Sequence, residues 1–275
     1  MRIFKYTGHV TEILERMQVK VSRAEELNDP FEVAPRIDPS QFTRANLRKF
    51  MRRREQLERA YKLEREKLGV SKREYKRHYR LSLKARLDLS ASVLPGAIES
   101  ARLNFTSRFS SGFRLFCASK TVHSILMWSH YSKNHEGGVV EFETAQPAFP
   151  DLEKLLGTVS YAKEKPSFTA RLNNVSGAVE ELMAVVRTKS EEWSYEQEVR
   201  AAIPVEACVG GQFFPFSPLA IRRVYLGARM PDAMRKTIIG HLATEELAHT
   251  GIVQAQLSPD HYRLDFEELR SERAG

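Results

Sequence analysis

Glu196 and Glu198 stand two residues apart in the segment Trp193-Ser194-Tyr195-Glu196-Gln197-Glu198-Val199-Arg200. On a strand, that spacing points both carboxylates to one face and Arg200 with them. Two carboxylates side by side raise one pKa while the other stays ionised, which suits acid–base work. Glu196 and Glu198 are thus candidate acid–base carboxylates, with Arg200 on the same face to steady them or hold a phosphate. The alternative is an exposed strand face carrying an ion pair.

Other residues carry open alternatives of the same kind. His130 and His135 suit acid–base or phosphate contacts, or are satisfied structural histidines. Trp128 and Tyr131 share a helical face at i, i+3, which serves core packing or stacking. In Leu27-Asn28-Asp29-Pro30-Phe31-Glu32, Asn28, Asp29 and Glu32 form a turn and a cap or contribute to a site. The chain contains no GxxxxGK, GxGxxG, GxSxG, HExxH or paired CxxC spacing. Simple nucleotide-hydrolase, Rossmann dehydrogenase, α/β-hydrolase and zinc-enzyme readings lose their usual support, and no metal is expected.

These groups need a scaffold, and the hydrophobic pattern outlines one. Arg2 to Tyr6 reads as a strand, and Val10, Ile13, Leu14 and Met17 mark one helical face after it. Val19 to Ser22 and Phe113 to Ala118 read as strands, with a polar stretch at Ser107 to Gly112 before the latter. A helix follows over Thr121 to Asn134, and Gly137-Gly138 stops it before the strand Val139 to Glu143. Further strands are expected at Thr158 to Tyr161, Glu198 to Val205, Arg222 to Leu226 and Gly251 to Gln256. Helices are expected at Val175 to Val186 and Pro231 to Ala248. Strands and helices mix without βαβ alternation, which predicts an α+β fold with a central mixed or antiparallel sheet.

Charge is distributed unevenly along the 275 residues. Between Arg36 and Arg86 there are 18 Lys and Arg against 6 Asp and Glu, a local +12 that leaves −4 elsewhere in a chain of net +8. Asp38 before Pro39 opens a helix with a narrow apolar seam, Gly69 ends it, and Ser71 with Glu74 makes a capping box for the next. A basic helical hairpin over residues 38–90, inserted in a single domain spanning 1–275, is the result. Its Arg52, Arg53, Arg54, Lys72, Arg73, Lys76, Arg77 and Arg80 are candidate nucleic-acid contacts, with an acidic protein as the rival partner. Solvated helices also carry such charge. No membrane-spanning run or signal segment is expected, and two cysteines in apolar contexts fit a reducing, cytoplasmic setting.

Ile3-Phe4-Lys5-Tyr6, Leu27 to Glu32, Leu126-Met127-Trp128-Ser129-His130-Tyr131 with His135 and Gly137, and Trp193 to Arg200 occur in that order. Together they resemble a widespread bacterial domain family of unknown function. The resemblance spans most of the chain outside the basic hairpin. The opening strand, helix and Val19-Lys20-Val21-Ser22 also look like the start of ADP-ribosyltransferase toxins. That second resemblance implies NAD as substrate, with Lys5, Tyr6 and Ser22 contacting it and a Glu on a late strand, Glu198 or Glu196, completing the site. Glu198 would then be the catalytic carboxylate, assisted by Glu196, stabilising the oxocarbenium-like state as the nicotinamide–ribose bond breaks, orienting a ribose hydroxyl or activating the acceptor. Lys5 stands where many such enzymes carry His or Arg. Asn28, Asp29, Trp128, Tyr131 and Arg200 are grouped with these as candidate cofactor contacts, and His130 with the catalytic carboxylates.

The resemblance thus implies an ADP-ribosyltransferase-like enzyme, a toxin or phage-defence effector acting on nucleic acid or protein. A non-enzymatic nucleic-acid-binding or interaction module is the alternative. A metal-independent nuclease built on His130 and His135 is a third.

Overall fold

The computed structural model describes residues 1–37, 61, 71, 73–75, 105–145, 149, 152–168 and 175–270, without the side chains of 175–178. The chain forms two compact units. One comprises Met1–Val33, Thr106–Lys165 and Met183–Gly275; the other comprises Ala34–Phe105 and Pro166–Leu182.

The strands follow one another as β1 (Arg2–Thr7), β2 (Gln18–Lys20), β3 (Arg36–Ile37), β4 (Phe113–Ser119) and β5 (Gly138–Glu143). Next come β6 (Leu156–Thr158), β7 (Ser160–Ala162), β8 (Ser167–Phe168), β9 (Thr188–Ser190) and β10 (Glu198–Pro204). The last are β11 (Phe213–Pro215), β12 (Ile221–Leu226), β13 (Gly251–Leu257) and β14 (Leu264–Arg270). Helices α1 (Val10–Arg16), α2 (Ile125–Tyr131), α3 (Val175–Val186) and α4 (Asp232–Leu242) accompany them.

An eight-stranded sheet in the order β14-β13-β12-β5-β1-β4-β10-β6 forms the first unit. Every neighbouring pair is antiparallel except β12 with β13, so the sheet is mixed and the fold is α+β. Side chains alternate between its faces with the period of two that strands impose. Ile3, Val140, Phe142, Val224 and Ile252 pack with Val10, Ile13 and Leu14 of α1 and Ile238 and Leu242 of α4. Tyr6, Val139, Tyr225 and Val253 belong to a second cluster with Met127 and Trp128 of α2.

Two departures from the expected elements have local causes. Residues 105–112 are helical rather than a polar connection, leading directly into β4. Helix α2 is shorter than expected because Ser124 caps it, accepting from the Met127 N–H, and a run of left-handed residues follows it. Lys133, Asn134 and His135 all have positive φ, of 50°, 53° and 68°, a conformation costly for side-chain-bearing residues that the surrounding contacts must impose.

In the second unit, β3 pairs in parallel with β8, and the rings of Phe105 and Phe168 meet at 4.8 Å. The expected hairpin range 38–90 lies outside the described residues apart from Tyr61, Ser71 and residues 73–75. There the expected capping box is present: Ser71 N–H donates to Glu74 Oε2 at 3.0 Å and Glu74 N–H to Ser71 Oγ at 3.3 Å. The rings of Tyr61 and Tyr75 lie 5.3 Å apart. Of the candidate nucleic-acid contacts, Arg73 is exposed; Arg52, Arg53, Arg54, Lys72, Lys76, Arg77 and Arg80 lie outside the described residues. No helix among the described residues is long and apolar enough to cross a membrane, and Cys117 and Cys208 are free thiols.

Candidate functional site

The register of the central strands lines up the first site residues. Glu198 of β10 pairs with Ser119 of β4, and Ser119 with Phe4 of β1; Arg200 pairs with Cys117. Residues in register, or two apart, share a face, so Phe4, Tyr6, Cys117, Glu198 and Arg200 project to one side of the sheet. Strands β1 and β4 share only the Phe4–Ser119 pair. Beyond it β4 turns to Ser22, with Leu115 and Ser22 exchanging both backbone hydrogen bonds at 2.8 and 2.9 Å. The sheet is therefore split between β1 and β4.

A cavity of about 210 Å³ is lined by residues on both sides of that split. Lys5, Tyr6, Ser22, Asn28, Tyr131, Glu196, Glu198 and Arg200 all line it, joined by Glu32, Lys189, Cys117 and Met127 among others. With Glu32, nine of the residues singled out from the sequence are thereby brought together, and the loop of Asn28 to Glu32 lies beside Glu198.

Four others sit elsewhere. Asp29 is buried and accepts from the Phe31 N–H at 2.8 Å, as the turn requires. Trp128 is fully buried, donates from Nε1 to the Val122 carbonyl at 2.8 Å and stacks on His135, whose Nε2 lies 3.1 Å from Ser129 Oγ. His130 is exposed, near the rings of Tyr131 and Tyr195. None of the four lines the cavity.

Glu196 corrects a second expectation. It belongs to a 3₁₀ turn, Glu191–Glu196, and the strand begins only at Glu198. Gln197 between them is left-handed at φ 44°, and this twist, rather than strand alternation, aims both carboxylates at one cavity. Nor are the acidic residues on an exposed face: Glu32, Lys189, Glu196, Glu198 and Arg200 are all between 1% and 6% exposed.

Burying five charged groups requires that they satisfy one another. Arg200 holds Glu198 in a fork, Nε to Oε1 and Nη2 to Oε2, both at 2.8 Å. Its Nη2 also donates to Glu32 Oε2 at 2.5 Å and its Nη1 to the Val186 carbonyl at 2.9 Å. Among the described residues, four of its five guanidinium N–H groups are thereby engaged. Lys189 Nζ lies 2.6 Å from Glu196 Oε2, 3.0 Å from Glu32 Oε1 and 3.8 Å from Glu198 Oε2, with the Trp193 ring 4.4 Å away. The Tyr131 hydroxyl donates to Glu196 Oε1 at 2.7 Å. Glu198 N–H donates to the Tyr161 hydroxyl oxygen at 2.8 Å.

The two carboxylates are driven apart in acidity. Burial pushes the Glu196 carboxyl up; Lys189 and Tyr131 oppose that shift without cancelling it, and the nearby Glu198 charge adds to it. Burial acts the same way on Glu198, but Arg200 and Lys189 outweigh it and hold that carboxyl below its ordinary value. Burial likewise raises the Cys117 thiol to about 12, so Cys117 stays protonated at neutral pH. Lys189 goes the other way: burial favours the free amine, yet Glu198, Glu32 and Glu196 together raise its pKa.

Lys5 differs from Lys189. Its Nζ donates to the Cys117 carbonyl at 2.8 Å, and among the described residues it forms no ion pair. Burial lowers its pKa, with Lys20 contributing in the same direction and Glu198 opposing.

Lys189 is the principal residue that sequence reasoning passed over. Thr188-Lys189-Ser190 is a three-residue strand without an apolar pattern, and its only signal is its place seven residues before Glu196.

Residues 127–201 match the model of a family described as protein of unknown function (DUF2971). No curated protein and no solved structure matches the chain. The matched stretch carries Met127, Tyr131, Lys189, Glu196, Glu198 and Arg200 of the cavity wall, while Lys5, Ser22, Asn28 and Glu32 precede it.

Proposed function

We propose that the chain is an ADP-ribosyltransferase-like enzyme that uses NAD and breaks its nicotinamide–ribose bond in this cavity. What carries the reading is the convergence of Glu196 and Glu198, with opposite pKa shifts, on a cavity shared with Lys5, Tyr6 and Ser22. Two titratable groups pushed apart by their surroundings are the mark of divided acid–base roles.

In the reaction, the C1′–N bond breaks and its electron pair leaves with nicotinamide as the neutral ring. Glu198, kept anionic by Arg200 and Lys189, stabilises the oxocarbenium-like carbon. The acceptor's lone pair bonds to C1′ as that bond breaks, and its proton passes to Glu196. The cavity is smaller than the roughly 300 Å³ at which pockets begin to engulf drug-sized ligands, so it encloses one end of the dinucleotide.

The test is nicotinamide release from NAD, followed chromatographically, with Glu196→Gln as the comparison. Release by the wild type that falls about 10²- to 10⁴-fold in the variant supports the reading. No release with water, protein or nucleic acid as acceptor removes it.

The local +12 of residues 36–86 favours a second function, contact with nucleic acid, whether as acceptor or as a bound partner. Affinity for a single-stranded oligonucleotide should then fall steeply between low and physiological salt. Binding indifferent to salt excludes it.

A further inference from the structure

We propose that Lys5 is an imine-forming lysine, whose amine attacks the carbonyl carbon of a small aldehyde or ketone held in the Glu196–Glu198 cavity. This goes beyond the NAD reading and does not depend on it.

Because β1 and β4 share a single residue pair, the Lys5 side chain lies where the ladder has lapsed. Lys5 is among the residues that line the cavity, and its nitrogen is held by the Cys117 carbonyl beside the Phe116 ring. Lys189, in the same cavity, is tied to carboxylates and stays an ammonium; among the described residues Lys5 has no such tie, and its burial favours the free amine. Desolvation makes an ammonium give up its proton more readily, and the free amine is the form that attacks carbonyl compounds.

The rest of the step needs a proton donor and a proton acceptor within the same enclosure. The Nζ lone pair bonds to the carbonyl carbon, and the carbonyl oxygen takes up a proton to give a carbinolamine. Glu196 in its protonated form gives a proton to the departing hydroxyl, which leaves as water. Of the nitrogen's two hydrogens, one passes to the carbonyl oxygen as the carbinolamine forms and the other returns to Glu196, so a C=N bond and one water remain. A volume of about 210 Å³ suits a carbonyl compound of a few heavy atoms.

The experiment treats the full chain with glycolaldehyde and cyanoborohydride at neutral pH and maps the reduced adducts by peptide mass spectrometry over time. An amine whose ammonium form is disfavoured presents more of the reactive free base. Lys5 should therefore be modified faster than the average of the other lysines. Lys5→Arg should remove that adduct alone, and Glu196→Gln should slow it. Lys5 left unmodified, or modified no faster than surface lysines, overturns the proposal, and mapping the wild type decides this even if a variant fails to fold. Trapping at Lys5 without nicotinamide release retains this inference and removes the NAD reading; release without trapping does the reverse.

Discussion

Arg200 Nη2 donates at 2.5 Å to Glu32 Oε2 across 168 residues of sequence, and both side chains are buried. The pair brings the loop that follows Asn28 to the strand of Glu198, so the cavity wall and the fold's stability share the same contacts.

Removing one member of a buried ion network strands the others. Glu32→Ala is predicted to cost about 3–5 kcal/mol, because Arg200 and Lys189 each lose a carboxylate partner. Urea unfolding of variant and wild type measures it. A loss under about 1 kcal/mol would mean that water enters and satisfies both cations.

The opposed acidities of Glu196 and Glu198 predict opposite pH dependences of stability. Glu198 is held below 4.5 in the fold, so its contribution is present above 4.5 and is lost as pH falls through the folded value. Glu196 is held above 4.5, so its contribution is fully present below 4.5 and is lost as pH rises through its folded value. Unfolding midpoints across pH should show Glu196→Gln abolishing a decline above 4.5 and Glu198→Gln abolishing a loss below it. Identical profiles for both variants and the wild type would contradict the assignment.

Tyr131 supplies a hydrogen bond that holds the Glu196 carboxyl down against burial. Tyr131→Phe should therefore raise that carboxyl further and move the acidic limb of a rate–pH profile for nicotinamide release to higher pH. A limb that stays in place would show that Glu196 does not govern the rate.

Trp128 and His130 are neighbours in sequence with different fates in the fold. Trp128→Ala empties a fully buried site and should cost about 3–5 kcal/mol. His130→Ala alters an exposed side chain and should stay within about 0.5 kcal/mol, with nicotinamide release unchanged. A large loss of activity in His130→Ala would revive it as a catalytic group.

Apolar and β-branched runs made β1, β4, β10 and β12 legible as strands, whose side chains alternate between faces although burial itself does not alternate along them. The sharing of a face by Glu198 and Arg200 followed from that alternation. Glu196 reaches the same cavity by another route, a left-handed Gln197, and nothing in the residue type announces that conformation. Strand β14 went unseen since Asp265-Phe266-Glu267-Glu268 carries too much charge for a core strand; it lies at the sheet edge, where solvent accepts those charges. Lys189 was hidden for a different reason. Its importance comes from Glu32 and Glu198, whose approach is decided by tertiary packing and not by any local spacing.

The most direct test of the central claim is calorimetric titration of the full chain with NAD at low salt, with ADP-ribose as competitor and Glu198→Gln alongside. The account predicts saturable binding that ADP-ribose displaces and that weakens in the variant. No heat of binding up to millimolar NAD would contradict it.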